Sequence, residues 1–396
     1  MNVTFLDEPP LEFGSNGRHI DIRFGIMNHG PLDRMRGTAP RRIRVGLVGS
    51  AETIEGTLAW LNRCKDGLPA KPSRQPNLFP HFPGFTADLG FLSELVTESQ
   101  LQRAMPKRML DRIALIPSHS QFVVEAVQAV IGEARHLTEN TSPDVIVCAI
   151  PQEFMDRIDN REDLAGADGE ERTPTLVFHD LLKAQAMDLR KPIQVIRPTT
   201  YGAKSPKPKG GRRRKPRGLQ DDATRAWNFH TALYYKAGGV PWRLVRDPKE
   251  PMTCFVGISF YQNLDRTAVL TSTAQVFNER GDGVIIRGGA VTLSRTGRVP
   301  HLAEADAKAL LGRALKQYRD EHRTLPARVV IHKSSTYSEG ELSGFQAAAD
   351  DQNIDSTDFI TLQDSSTKLF RAGVYPPWRG TLLTLDSQSQ ALYTRG

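Results

Sequence analysis

The sequence predicts an α/β protein in two parts, a Rossmann-like part followed by a part built on three meandering strands. Three observations carry this. Over 43–197, short apolar strands alternate with helices through turns marked by Gly or Pro, the pattern of parallel-sheet domains. From about residue 253 the pattern becomes consecutive strands, then helix, strand, helix and strand. The length of 396 residues suits two domains at ~150 residues each.

Composition narrows the class. Hydrophobic residues make up 39% and charged residues 24%, ordinary globular values that exclude a wholly disordered chain. No repeat of about 20 to 50 residues is present, which excludes a solenoid or propeller. No apolar run approaches the ~18 residues of a membrane span. The start, MNVTFLDEPP, has neither the basic nor the apolar segment of a signal peptide, so the expected location is cytoplasmic. Three cysteines, Cys64, Cys148 and Cys254, are too scattered for a disulfide framework or a zinc site. The 52 Lys+Arg against 45 Asp+Glu leave a net charge of +7, which permits an anionic partner.

Residues 1–42, rich in Gly, Pro and Arg, read as an extended arm with short strands. Ile43–Val48 is the first firm strand; it stops at Gly49-Ser50, and a helix follows over about Thr53–Arg63. Five prolines between 66 and 90 predict an irregular loop. Apolar residues at helical spacing predict a helix over Phe122–Leu137, and Val145–Ile150 is a buried strand ended by Pro151. Acidic residues 156–172 predict another loop. Thr173 as N-cap and Pro174 at the first helical position start a helix reaching about Arg190, followed by the strand Ile193–Arg197. Residues 204–217 hold eight basic side chains and no acid, a surface loop that is either solvated or in contact with nucleic acid. A helix over Asp222–Lys236 ends at Gly238-Gly239. Strands over 253–260, 267–277 and 283–293 are followed by a helix Glu304–Glu321, a strand Arg328–His332, a helix Glu339–Ala349 and a strand Phe359–Leu362. That is the element order of an RNase H-like fold.

On the helix 174–190, a period of 3.6 places His179, Lys183, Ala186 and Arg190 on one face and Val177, Leu181 and Ala184 on the opposite, core-facing side. Such a stripe reads as a solvated face or as an approach for an anion. Gln194 offers a donor and an acceptor at the start of a strand, and Lys236 complements the C-terminus of its helix.

Together the segments Phe178-His179-Asp180-Leu181-Leu182-Lys183, Pro192-Ile193-Gln194-Val195-Ile196-Arg197 and Tyr235-Lys236-Ala237-Gly238-Gly239-Val240-Pro241-Trp242 resemble the MID domain of prokaryotic Argonautes. The resemblance implies that His179, Lys183, Gln194 and Lys236 grip the 5′-phosphate of a guide strand, with His179 where the family most often has Tyr. It also implies a divalent cation, Mg²⁺, at that phosphate, with Gln194 as its candidate ligand. Arg190, Arg197, Arg212, Arg213 and Arg214 are candidate nucleic-acid contacts. The 5′-phosphate carries nearly two charges, which suits two lysines and two further donors.

The second part resembles the PIWI domain, whose cutting members hold two Mg²⁺ ions with an Asp–Glu–Asp–X set. Where that family has Val-Gly-Ile-Asp, this chain has Val256-Gly257-Ile258-Ser259, and Val330-Ile331-His332-Lys333 is followed by Ser334 instead of Asp. Residues 283–303 contain no acid. The expectation is a protein that is not a nuclease and has no catalytic metal pair. One alternative is a nuclease using relocated carboxylates such as Asp265 and Asp306. Another is a small-molecule enzyme using the Val48-Gly49-Ser50 turn, which lacks the full GxGxxG fingerprint.

The resemblance covers about residues 10–396. It divides the chain into an N-terminal arm (1–42), a MID domain (43–244, with the basic loop 204–217) and a PIWI domain (245–396), from which the C-terminal part usual in the family is missing: either the sequence is incomplete or that part is truly absent. Length points to the short prokaryotic Argonautes. Inactive members of that group imply an RNA guide, a single-stranded DNA target and a heterodimer with an APAZ-domain effector protein. The effector carries a TIR, sirtuin-like or nuclease module, and target recognition activates it in defence against invading DNA.

Overall fold

The computed structural model describes residues 2–37, 39–74, 76–162, 177–202, 219–245, 247, 249–262, 269–278, 283–286, 292–293, 300–365, 367–370, 372–373 and 377–394. The chain divides into two compact units, one of residues 11–243 and one of residues 1–10 with 244–396. Strand β1 (Asn2–Phe5) therefore belongs with the C-terminal unit, and the rest of the expected arm does not behave as an arm. Asp21 caps a helix α1 (Ile22–His29), Phe13 and Ile26 are buried in the core, and Asp33 accepts hydrogen bonds from the Tyr234 hydroxyl at 2.5 Å and the Val240 amide at 2.8 Å. Its Gly, Pro and Arg content concealed a segment tied down by a few buried side chains.

The 11–243 unit is a parallel sheet covered on both faces, the arrangement expected from the sequence. Its strands are β2 (Arg42–Gly49), β3 (Glu94–Val96), β4 (Gln102–Ala104), β5 (Val145–Ala149) and β6 (Ile193–Ile196). They run β3-β2-β5-β6, with β4 also paired to β2, and every pairing is parallel. The helices are α2 (Ala51–Lys65), α3 (Lys107–Ala114), α4 (His119–Asn140), α5 (Gln152–Glu162), α6 (Phe178–Ala186) and α7 (Asp222–Lys236). Strand β5 shows why both faces must be covered, since all five of its residues are buried. Val145, Val147 and Ala149 point into a core shared with Trp60 and Leu61 of α2 and Trp227 and Leu233 of α7. Ile146 and Cys148 point into the other core, with Phe122 and Val127 of α4 and Leu182 of α6. The two-residue period of a strand thus feeds two separate cores.

Details of the loops depart from the sequence expectation. Residues 156–162, expected as loop, continue α5, because apolar Phe154, Met155 and Ile158 dock in the α4/α6 core. The proline-rich stretch 66–90 is irregular as expected, yet Phe82, Phe85 and nearby Phe91 are buried in the α2/α7 core. Thr173 and Pro174 and the basic loop 204–217 lie outside the described residues.

In the C-terminal unit, strands β7 (Thr253–Gln262), β8 (Val269–Asn278) and β9 (Gly283–Ile286) form the antiparallel meander. Helix α8 (Glu304–His322), strand β10 (Arg328–Lys333), helix α9 (Glu339–Asp350) and strand β11 (Ser356–Thr361) follow. The sheet order is β9-β8-β7-β10-β11, with β10 parallel to both β7 and β11. Cys254, Val256 and Ile258 alternate into a core with Leu310, Leu311 and Leu315 of α8 and Phe345 of α9. Strands β12 (Thr381–Thr384) and β13 (Gln390–Leu392) complete a second small sheet with β1, in the order β1-β12-β13, which the sequence reading did not anticipate. Among the described residues, no helix is long and apolar enough to cross a membrane.

Candidate nucleic-acid-binding site

Helix α6 sets two of the four expected phosphate ligands. It begins at Phe178 and buries Phe178, Leu182 and Ala186, continued by Leu189 in the following turn. The core-facing stripe therefore differs from the expected Val177, Leu181 and Ala184 and takes in Ala186, expected on the outer face with His179; Val177 is 39% exposed and Ala184 is exposed. His179 and Lys183 still stand on the outer side, one turn apart, with His179 half-buried and Lys183 exposed. Arg190 does not join them on the helix face. The helix has ended by then, and Arg190 sits exposed in a left-handed turn (φ 52°).

The other two come together directly. Helix α7 is capped by Asp221, whose carboxylate accepts from the Thr224 amide, and is stopped at Gly238, where φ is 89°. Gly239 is forced by space as well, because a Cβ there would lie 2.3 Å from the Tyr234 ring. This fixed end sends the Lys236 ammonium to β6, where it donates to the Ile193 carbonyl and to Gln194 Oε1, both at 2.6 Å. Gln194 Nε2 donates to the Val195 carbonyl at 3.1 Å, so the amide has a definite orientation. An ammonium has three donors, and two are used; one remains for an incoming acceptor.

Lys183 is drawn into the same field. Burial holds Lys236 below the usual lysine range, and the Lys183 ammonium pushes it further the same way. Two cations that repel each other across a half-buried site are an arrangement an anion would relieve. His179 lines a cavity of about 20 Å³ with Ile150, Met155, Ile158, Phe178, Val195 and Arg197, which puts it beside the Gln194 strand. Arg197, which lines that cavity, is exposed. Arg212, Arg213 and Arg214 lie outside the described residues.

The Mg²⁺ ion implied at Gln194 does not fit these residues. Gln194 Oε1, the amide's only acceptor atom, already accepts from the Lys236 ammonium, and a dication on its other lone pair would stand beside that positive charge. Among the described residues, no three His, Cys, Asp or Glu side chains gather as a metal site.

The turn after β2 is occupied by its own helix. Ser50 accepts from the Thr53 amide in a capping box, and a Cβ on Gly49 would lie 2.5 Å from the Ala149 carbonyl, so the close approach serves packing.

At the far end of the chain, the parallel register pairs Ile258 of β7 with Lys333 of β10. Ser259, inside β7, and Ser334, just past the end of β10, each lie one residue beyond that pair, and both are exposed. A bulge in the β7/β8 pairing falls at Ser259/Phe260. Asp306 is exposed in the first turn of α8, and Asp265 lies outside the described residues. The buried carboxylate near this end is Glu341, which sequence reasoning missed. It accepts from Lys333 at 2.6 Å, the Leu302 amide at 2.9 Å and the Ser338 amide at 2.8 Å, with His301 Nδ1 at 2.9 Å. Burial alone would raise its pKa, but these partners hold it below the usual carboxylate range. The capping-box pair Ser338 and Glu341, together with a lysine closing an apolar strand, was the available signal.

No protein-family model matches the sequence, and no curated protein matches it. Solved structures do. The chain is similar to Clostridium butyricum Argonaute bound to a guide DNA and a 19-mer target DNA, with a TM-score of 0.59 at 15% identity, 96% of this chain matching 43% of that one. It is similar to A. aeolicus Argonaute, with a TM-score of 0.53 at 13% identity over 98% of this chain and 44% of that one. A third is Marinitoga piezophila Argonaute in complex with a 5′ OH guide RNA, with a TM-score of 0.52 at 10% identity over 100% of this chain and 49% of that one. This chain therefore spans less than half the length of these neighbours and shares the fold of their MID and PIWI lobes.

Proposed function

We propose that this protein binds a guide nucleic acid by its 5′-phosphate and uses it to recognise a complementary target without cutting it. The observation that carries the reading is the Lys236 ammonium fixed on Gln194 and Ile193 with Lys183 close enough to perturb it. A terminal phosphate of nearly two negative charges matches two ammonium groups, and each charge-assisted hydrogen bond is stronger than a neutral one. Two of the solved neighbours are described with bound guides, one a DNA and one a 5′ OH RNA, so the fold accommodates either kind of strand. In this chain the paired lysines favour a phosphorylated end.

The guide is RNA and the target single-stranded DNA, with base pairing reading the sequence and the protein reading phosphates and helical shape. Cleavage is absent in this reading because, by the resemblance, Ser259 and Ser334 stand where cutting members carry acids, and Ser is a neutral and poor ligand for holding two magnesium ions. Work on the target falls to an APAZ-domain effector partner, bound as a heterodimer, carrying a TIR, sirtuin-like or nuclease module.

The test is direct binding of matched oligonucleotides bearing 5′-phosphate or 5′-hydroxyl ends. A preference of about tenfold or more for phosphate is expected. Equal affinity for the two ends would refute the reading.

A further inference from the structure

We propose that the 5′-phosphate site works without a divalent cation, the Lys236 ammonium holding the place beside Gln194 that a metal ion would need. This rests on the phosphate-site reading above and adds a statement about its chemistry. Mg²⁺ demands six oxygen ligands in near-octahedral array at about 2.0–2.1 Å. The two oxygens that the strand offers, Gln194 Oε1 and the Ile193 carbonyl, each accept from Lys236 at 2.6 Å. Flipping the Gln194 amide would free its oxygen only by turning the NH₂ group toward the ammonium and giving up both the Lys236 bond and the bond to the Val195 carbonyl.

Among the described residues, the two helices that carry His179, Lys183 and Lys236 offer no buried carboxylate to anchor a magnesium ion. On α6 the carboxylate nearest His179 is Asp180, which is 77% exposed and lies 3.4 Å from His179 Nδ1. One helical turn before Lys236, α7 carries Ala232, a residue with no ligand atom. Among the described residues no cluster of three metal-binding side chains forms.

Charge balance points the same way. The phosphate carries about −1.5 to −2 near neutral pH. Lys183 and Lys236 supply two positive charges, so the bound state is close to neutral without a third cation. Adding a dication would leave the site with excess positive charge next to two ammonium groups.

The experiment measures affinity of the full chain for 3′-labelled oligonucleotides with 5′-phosphate or 5′-hydroxyl ends, in Mg²⁺ buffer and in EDTA buffer of equal ionic strength. The ratio of the two affinities isolates the terminal phosphate from general effects of magnesium on the strand. The expected result is a ratio that changes by less than about twofold on chelation. A fall of about tenfold in EDTA would overturn the proposal while leaving the phosphate site standing. No phosphate preference even in Mg²⁺ would overturn the site reading and this inference with it. Lys236→Ala supplies the internal check: its ratio should be reduced equally in both buffers, and recovery of the ratio by Mg²⁺ would count against the proposal.

Discussion

Replacing Lys236 with Ala removes the group on which the phosphate site depends. In the free protein the ammonium makes two hydrogen bonds of 2.6 Å to neutral acceptors and keeps its third donor available. A charged hydrogen bond to phosphate contributes about 1.5–3 kcal/mol, so its loss should weaken binding of a 5′-phosphorylated strand by roughly 10- to 150-fold. Binding of the 5′-hydroxyl strand should change little, because that end presents no charge to the lysine. Stability should move by no more than about 1–2 kcal/mol: the Ile193 and Gln194 oxygens lose a donor, while the burial of a charge is relieved. Fluorescence anisotropy with both strands gives the ratio, and a melting curve confirms folding. A folded Lys236→Ala protein with an undiminished phosphate preference would refute the reasoning.

Three further outcomes follow from the same geometry. Lys236 titrates below the usual lysine range, so it loses its charge at a lower pH than an ordinary lysine near ~10.4, and phosphate preference should decline from that lower alkaline pH; it should also decline below about pH 6, where the phosphate takes up its second proton. A pH series of the two-strand binding ratio checks both limbs. Glu341→Gln leaves the buried Lys333 without its anion and should destabilise the C-terminal unit by about 3–5 kcal/mol in denaturant unfolding. Because the folded-state pKa of Glu341 is depressed, its own contribution is complete above the unfolded value of ~4.3 and is lost as pH falls through the lower folded value, which acid-unfolding curves of the wild type and Glu341→Gln should separate. Incubation with guide, labelled complementary DNA and Mg²⁺ or Mn²⁺ should yield no specific product; sustained cutting abolished by substituting Asp306 would restore the relocated-carboxylate reading.

The two-layer logic of the fold was legible because strands such as Val145–Ala149 are continuously apolar and helices such as Asp222–Lys236 carry clear start and stop residues. The N-terminal segment was not, since its attachment depends on Asp33 meeting Tyr234 and Val240, partners about two hundred residues away. The buried face of α6 differs from the expected one because periodicity groups residues without saying which group faces the core, and packing selects Phe178, Leu182 and Ala186. The Lys236 and Gln194 pairing emerged from a resemblance between short segments, and no local period would have revealed it. That Lys236 donates to the oxygen of Gln194, the residue the resemblance offers to magnesium, was likewise not legible, because only geometry brings the two side chains together. The Lys333–Glu341 pair was half visible: Ser338-x-x-Glu341 announces a cap, whereas the buried lysine beneath it depends on the β10/α9 packing.

The most direct measurement is a structure of the chain bound to a 5′-phosphorylated oligonucleotide. The account predicts the terminal phosphate within hydrogen-bond reach of the Lys183 and Lys236 ammonium groups, with His179 and Gln194 beside it. A phosphate bound elsewhere, with Lys236 still engaged only on Gln194 and Ile193, would contradict it.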